Sequence, residues 1–192
     1  MSPQGLLDFL LTLDGLKAVE RRSYPSGMSR PENSAEHSWH CALAALLLEG
    51  ECAFVVDARH AALLMLMHDV PEIACGDTFV YASERADAEV RERVALEGLL
   101  APLANADAQR LRALWEEFTA SQTPEARYAN ALDRLLPVLH NLSHRGRSWR
   151  ENGVQLSQVL GRLELVAEVF PTIWSILRSS VEQCFQELQH DT

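Results

Sequence analysis

Lysine is nearly missing from this chain: Lys17 stands alone among 17 basic side chains, against 27 acidic ones, for a formal net charge of −10. A surface of that sign disfavours general binding to a nucleic-acid backbone. It still permits a small anionic substrate where a metal and a few arginines set the local potential. Cysteine is sparse as well, with Cys41, Cys52, Cys75 and Cys184 and no C-x-x-C pair. That argues against a thiolate zinc site and fits the reduced, partly buried thiols of a cytoplasmic protein. No apolar run reaches the roughly 18 residues a membrane span needs. Met1 to Gly5 holds no basic segment leading into an apolar stretch, so no signal peptide is expected. Alternation at period two, internal repeats and low-complexity tracts are also lacking.

What remains is helical periodicity. With 192 residues, 47% of them hydrophobic, the chain can bury a full core, and a single domain over 1–192 is expected. Leu6, Leu7, Phe9, Leu10, Leu11, Leu13 and Leu16 form the apolar face of a first helix, followed by an irregular segment from Arg21 to Pro31. Asn33 with Glu36 three residues on makes a capping box for a second helix. A third runs from about Asp57 to Asp69, where Pro71 must stop or restart it. Gly76-Asp77-Thr78 reads as a loop. Further helices are predicted over about Glu84 to Leu100 and Asp107 to Ala120. Thr123-Pro124-Glu125 then supplies a cap, a first-position proline and a first-turn acid for the helix that carries Asp133. Gly146 to Gly153 reads as a polar loop, and helices over Gln155 to Phe170 and Pro171 to Leu188 complete an all-α fold.

The chemistry is concentrated where the run Ala61 to Met67 ends in His68-Asp69. That run is too apolar for a surface helix, and a charge leaving a buried helix needs a partner. His37 in the first turn of the second helix and Asp133 among apolar neighbours complete a set of two imidazoles and two carboxylates. Each has a plainer reading alone: His37 as a helix-start residue, Asp133 paired with Arg134, His68 on a helix dipole. Taken together, in helical context, they point to one divalent ion of the Mn, Co, Fe, Zn or Mg kind with positions left open, as catalysis requires.

His…His-Asp…Asp in an all-helical chain resembles the HD-domain metal-dependent phosphohydrolases. The stretches Glu32-Asn33-Ser34-Ala35-Glu36-His37-Ser38, His68-Asp69-Val70-Pro71-Glu72-Ile73 and Gly76-Asp77-Thr78 look like the branch containing the bacterial 5′-deoxynucleotidases. Thr123 to Arg127 and Ala131 to Leu135 resemble HD hydrolases of the same branch. The likeness covers about Leu6 to Arg162, implying a helical-bundle core over 6–162 with C-terminal helices over 155–188 packed on it. It implies that His37, His68, Asp69 and Asp133 bind the metal and that Glu72, by spacing either a first-turn acid after Pro71 or a group beside the ion, orients the metal-activated water. It further implies Asp77 (by spacing alone a turn former) and, more weakly, Thr78 as substrate contacts. Arg22, fifteen residues before His37, matches the phosphate arginine, with Arg21 a near equal. The family's next residue is a tryptophan, and Ser23-Tyr24 stands here instead.

The resulting expectation is a phosphomonoesterase that releases a nucleoside and phosphate from deoxyribonucleoside 5′-monophosphates, with a homodimer implied by the resemblance. A different small phosphate ester, or a metal-binding regulatory module without turnover, are the alternatives. His140 and His144, four apart on a helix, read as a solvated or core-edge pair because no carboxylate follows at a useful distance. Cys75 lacks a base and reads as a packing residue. Trp39, Trp115, Trp149 and Trp174 read mainly as core or interface.

Overall fold

The computed structural model describes residues 3–81 and 87–190. Among them the only extended pairing is one antiparallel bridge, Glu20 to Asn33; all other regular structure is helical. The all-α expectation holds. Among the described residues, no helix is long and apolar enough to cross a membrane.

Helix α1 (Pro3–Leu13) gives way to a 3-10 turn over Asp14–Ala18. Of its apolar residues only Phe9 is buried on α1, while Leu6, Leu7, Leu10 and Leu11 face outward. The segment after it is irregular, as expected, yet held. Arg21 N–H donates to the Glu32 carbonyl at 2.8 Å, and Glu32 N–H donates to the Ser23 carbonyl at 2.9 Å. These bonds set Arg21, Ser23 and Glu32 side by side.

Helix α2 (Ser34–Leu47) starts at the predicted capping box, with Asn33 Oδ1 accepting from Glu36 N–H at 3.0 Å. Helix α3 (Ala58–Met67) is capped by Asp57. After Pro71 the chain restarts for a single turn, α4 (Glu72–Cys75), and leaves it through Gly76 at φ 74°. Helix α5 spans Ala88–Leu100, and the predicted start at Glu84 lies outside the described residues. Helix α6 (Asn105–Ala120) precedes α7 (Pro124–Ser143), whose first turn is capped by Thr123 as expected.

Helix α7 runs through the core, touching α2, α3 and α6. It buries Tyr128, Ala129, Ala131, Leu132, Leu135 and Leu136. Pro137 lies inside it, so the Asp133 carbonyl, four residues earlier, has no N–H to accept from on the ladder. The polar loop expected over 146–153 contains a helix, α8 (Arg147–Glu151). Burial of Trp149, whose N–H donates to Asn141 Oδ1 at 3.2 Å, fixes that turn. The predicted helix from Gln155 to Phe170 is two pieces, α9 (Leu156–Arg162) and α10 (Glu164–Val169), hinged at buried Leu163. Gly161 weakens helix propensity just before the break. Helix α11 (Pro171–His190) packs on α7, α9 and α10.

Candidate metal centre

Three helices and one turn deliver a buried cluster. His37 is in the first turn of α2, His68 caps the end of α3, Asp69 begins the turn toward α4, and Asp133 is midway along α7. His37 Nε2 lies 3.1 Å from Asp133 Oδ1. His68 Nε2 lies 3.1 Å from Asp69 Oδ1 and 3.8 Å from Asp133 Oδ1. The structure thus brings the four predicted ligands to one place.

The aim of His68 is set by its other nitrogen. Nδ1 lies 2.7 Å from the Met65 carbonyl, which can only accept, so Nδ1 carries the proton. Nε2 is left with a lone pair, is buried, and has no hydrogen-bond partner. Burial lowers the pKa of this ring, which keeps it neutral. Burial would raise Asp133, but the His37 hydrogen bond and nearby positive charge, including Arg162, hold it well below its usual value. A neutral nitrogen lone pair facing two carboxylate oxygens is unfavourable unless a cation sits among them. The donor set and the orphaned Nε2 fit a divalent ion.

Glu72 lines a cavity together with His68, Asp69, Asp77, Phe118 and Asp133. Its Oε2 accepts the Ser34 hydroxyl at 2.6 Å. Burial first, then the charges of Asp69 and Asp77, push its carboxyl well above the ordinary range. Asp77 stands on the same wall, 3.9 Å from Arg21 Nη1. Thr78 also lines this cavity, and its hydroxyl accepts from Arg91 at 3.3 Å.

Arg21, rather than Arg22, reaches the cluster. Its Nη1 donates to Asp69 Oδ2 at 2.8 Å, and Nη2 is 4.0 Å from Asp133 Oδ1. Arg22 turns outward, donating to Asn152 Oδ1 at 2.5 Å with its guanidinium 4.7 Å from the Phe79 ring centre. Both arginines line a second cavity with Phe79, Tyr81, Trp149 and Arg162. Arg21, Asp77, Val80, Asp133 and Arg162 border both cavities, so the two form one cleft.

Sequence reasoning passed over two charged residues here. Arg162 Nη2 is 3.5 Å from Asp133 Oδ2, but nothing in its neighbourhood distinguishes it from the other arginines. Glu32 is 1% exposed. Its Oε2 accepts the Ser23 hydroxyl at 2.7 Å and lies 3.6 Å from His37 Nδ1. Burial opposes its ionisation, yet the nearby His37 and His140 rings and the Ser23 hydroxyl hold it down at about 2. A carboxylate behind a histidine that could bind a metal orients the ring and raises its basicity. The signal available in the sequence was an acid immediately before the capping box of a helix with a histidine in its first turn.

Fold and cluster define an all-helical protein with a buried centre of two histidines and two aspartates. The chain belongs to the HD-domain family, whose model, described as HD domain, matches residues 13–174. A crystal structure described as a predicted metal-dependent phosphohydrolase, from Magnetospirillum magnetotacticum MS-1, is 36% identical, with a TM-score of 0.89 over 95% of this chain and 92% of that one. The 5′-deoxynucleotidase HDDC2 of Bos taurus is 28% identical over 138 residues, and its Homo sapiens counterpart 25% over 138. The match spans 71% of this chain and 66% of the length of each of those relatives. An HD-domain phosphohydrolase from Listeria innocua shares the fold at a TM-score of 0.63 and 15% identity, over 97% of this chain and 99% of that one.

Proposed function

We propose that this chain is a metal-dependent phosphomonoesterase acting on deoxyribonucleoside 5′-monophosphates. The observation that carries the metal reading is His68 Nε2, buried and without a hydrogen bond, aimed at Asp69 and Asp133. His37, His68, Asp69 and Asp133 would hold one divalent ion, which when bound supplies charge neutralisation at a phosphate oxygen and acidifies water.

The chain's own groups account for the rest. Glu72, anchored by Ser34, takes the proton of the attacking water; burial and the Asp69 and Asp77 charges raise its carboxyl to about 9, and a cation held by the cluster would offset those charges and favour the ionised form a base needs. Arg21 and Arg162 face the phosphate from the two sides of the Asp133 carboxylate. Arg22 stays at the outer cavity with Phe79, Tyr81 and Trp149, whose apolar faces suit a nucleobase. Asp77, on the wall common to both cavities, contacts the sugar, with Thr78 beside it. The P–O ester bond breaks, the water oxygen joins phosphorus, and a proton passes to the leaving 5′-oxygen, giving nucleoside and phosphate. The HDDC2 relatives' name supports the substrate class.

A second reading, a different small phosphate ester, is favoured by one local feature. Ser23 is committed to Glu32, and the Tyr24 hydroxyl donates to Glu151 at 2.8 Å, so neither stands in for a phosphate-side tryptophan. A phosphate-release screen with added Mn, Co, Zn or Mg, over mono-, di- and cyclic nucleotides and simple esters, separates the two. Release from deoxyribonucleoside 5′-monophosphates, lost in His68→Ala, is expected. Release from non-nucleotide esters alone transfers the assignment to the second reading, and no release from any ester removes both.

The protein is also proposed to be a cytoplasmic homodimer. Trp39, Leu43, Leu46 and Leu47 follow one exposed stripe of α2, and Leu63 and Leu66 another on α3.

A further inference from the structure

His140 was the one histidine of α7 left without work, and it is 6% exposed. Its Nδ1 is buried and makes no hydrogen bond. It points at Glu32, with Nδ1 3.6 Å from Oε1, the oxygen opposite to the one that holds Ser23 and faces His37. His40 closes the third side: its ring stacks on that of His140 at 5.5 Å between centres and 25° between planes. Each of Glu32, His40 and His140 offers one ligand-type atom, and these atoms lie within 4.8 Å of one another.

The placement follows from the same two helices that build the main cluster. His40 sits three residues after His37 on α2, and His140 seven after Asp133 on α7. Spacings of three and seven keep residues on one helix face, so the second group lies farther along the same groove between α2 and α7. Glu32 stands between the two groups.

We propose that Glu32, His40 and His140 form a second, separate site for a divalent transition ion, best suited to zinc. A nitrogen and an oxygen each about 2.1 Å from a tetrahedral ion lie roughly 3.4 Å apart, close to the 3.6 Å between His140 Nδ1 and Glu32 Oε1. That separation is too long for a direct hydrogen bond, so a simple histidine–carboxylate pair does not satisfy Nδ1. Two imidazoles and one carboxylate suit zinc, whereas the second aspartate of the main cluster makes that centre more hospitable to Mn or Mg. His40 is only partly buried, which gives the ion a way in. Bound there, the ion would tie the 21–32 segment to α2 and α7 and so steady Arg21.

The site is tested in full-length protein stripped of metal and dialysed against zinc, with metal content by elemental analysis and unfolding temperature recorded together. His68→Ala, which cripples the main cluster, is expected to keep one zinc per chain and to unfold at a higher temperature with zinc than without. Adding His40→Ala, at a position open enough to tolerate the change, should abolish both, and adding His140→Gln should do the same. Far-UV circular dichroism shows that each variant is folded. The proposal is overturned if His68→Ala protein binds no zinc, or if its zinc and thermal shift survive loss of His40. None of these readouts needs phosphatase activity, so failure here and failure of the proposed reaction are told apart.

Discussion

Arg21 and Arg22 are neighbours in sequence with opposite orientations, and the backbone decides which one matters. The paired hydrogen bonds between Arg21, Ser23 and Glu32 fix the segment so that Arg21 faces inward and Arg22 faces Asn152. Arg21→Ala is expected to lower kcat/KM about a hundredfold, the cost of roughly 3 kcal/mol of charged hydrogen bonding. Arg22→Ala should cost less than about tenfold, mostly in KM. Steady-state kinetics of both variants checks the ranking, and the reverse order would return the phosphate role to Arg22. The resemblance favoured Arg22 with Arg21 a near equal, because counting residues cannot see a backbone bridge that turns successive side chains to opposite sides. His37, His68, Asp69, Glu72 and Asp133 were nameable because each stands at a helix start, a helix end or in an apolar stretch where an ionisable group is conspicuous. Glu32 and Arg162 are conspicuous only once folded.

The capping box at Asn33, the Thr123 start of α7 and the break at Pro71 were readable because each rests on two or three adjacent residues with a local mechanism. The loop over 146–153 misled because its polar composition hides Trp149, which tertiary burial pulls into a helical turn. Gly146 opens that turn at φ +69°, and a Cβ there would lie 2.7 Å from Leu188 Cδ1 and 3.1 Å from Cys184 Sγ of α11. Gly146→Ala therefore combines a left-handed backbone penalty with a clash, together about 1–3 kcal/mol. Calorimetry should show the unfolding temperature lowered by roughly 3–10 °C, with the metal content of the His37–Asp133 cluster unchanged.

For the molecule as a whole, the outward leucines of α1 were not legible in the sequence, since periodicity reports an apolar face without saying what covers it. If α2 and α3 pair with a second copy through their exposed stripes, light scattering gives a dimer mass for the native chain and a monomer mass for Leu46→Glu. Acid stability follows from Glu32. Its folded pKa of about 2 lies below the usual 4.5, so it stabilises the fold above the usual value, and that contribution fades as pH falls from about 4.5 through 2. The shift corresponds to at most roughly 3 kcal/mol. Glu32→Gln should lower the unfolding temperature at neutral pH and flatten its decline between pH 5 and 2.

Pro137 carries the last consequence, since it leaves one rung of a 20-residue core helix unmade at Asp133, the aspartate proposed to hold the metal. Restoring that rung with Pro137→Ala should raise global stability by about 1–2 kcal/mol after the unfolded chain regains its freedom. The same change would tie the Asp133 carbonyl into the helix ladder and is expected to slow turnover. A thermal melt moving up while phosphate release moves down would mark this proline as robustness surrendered for reactivity.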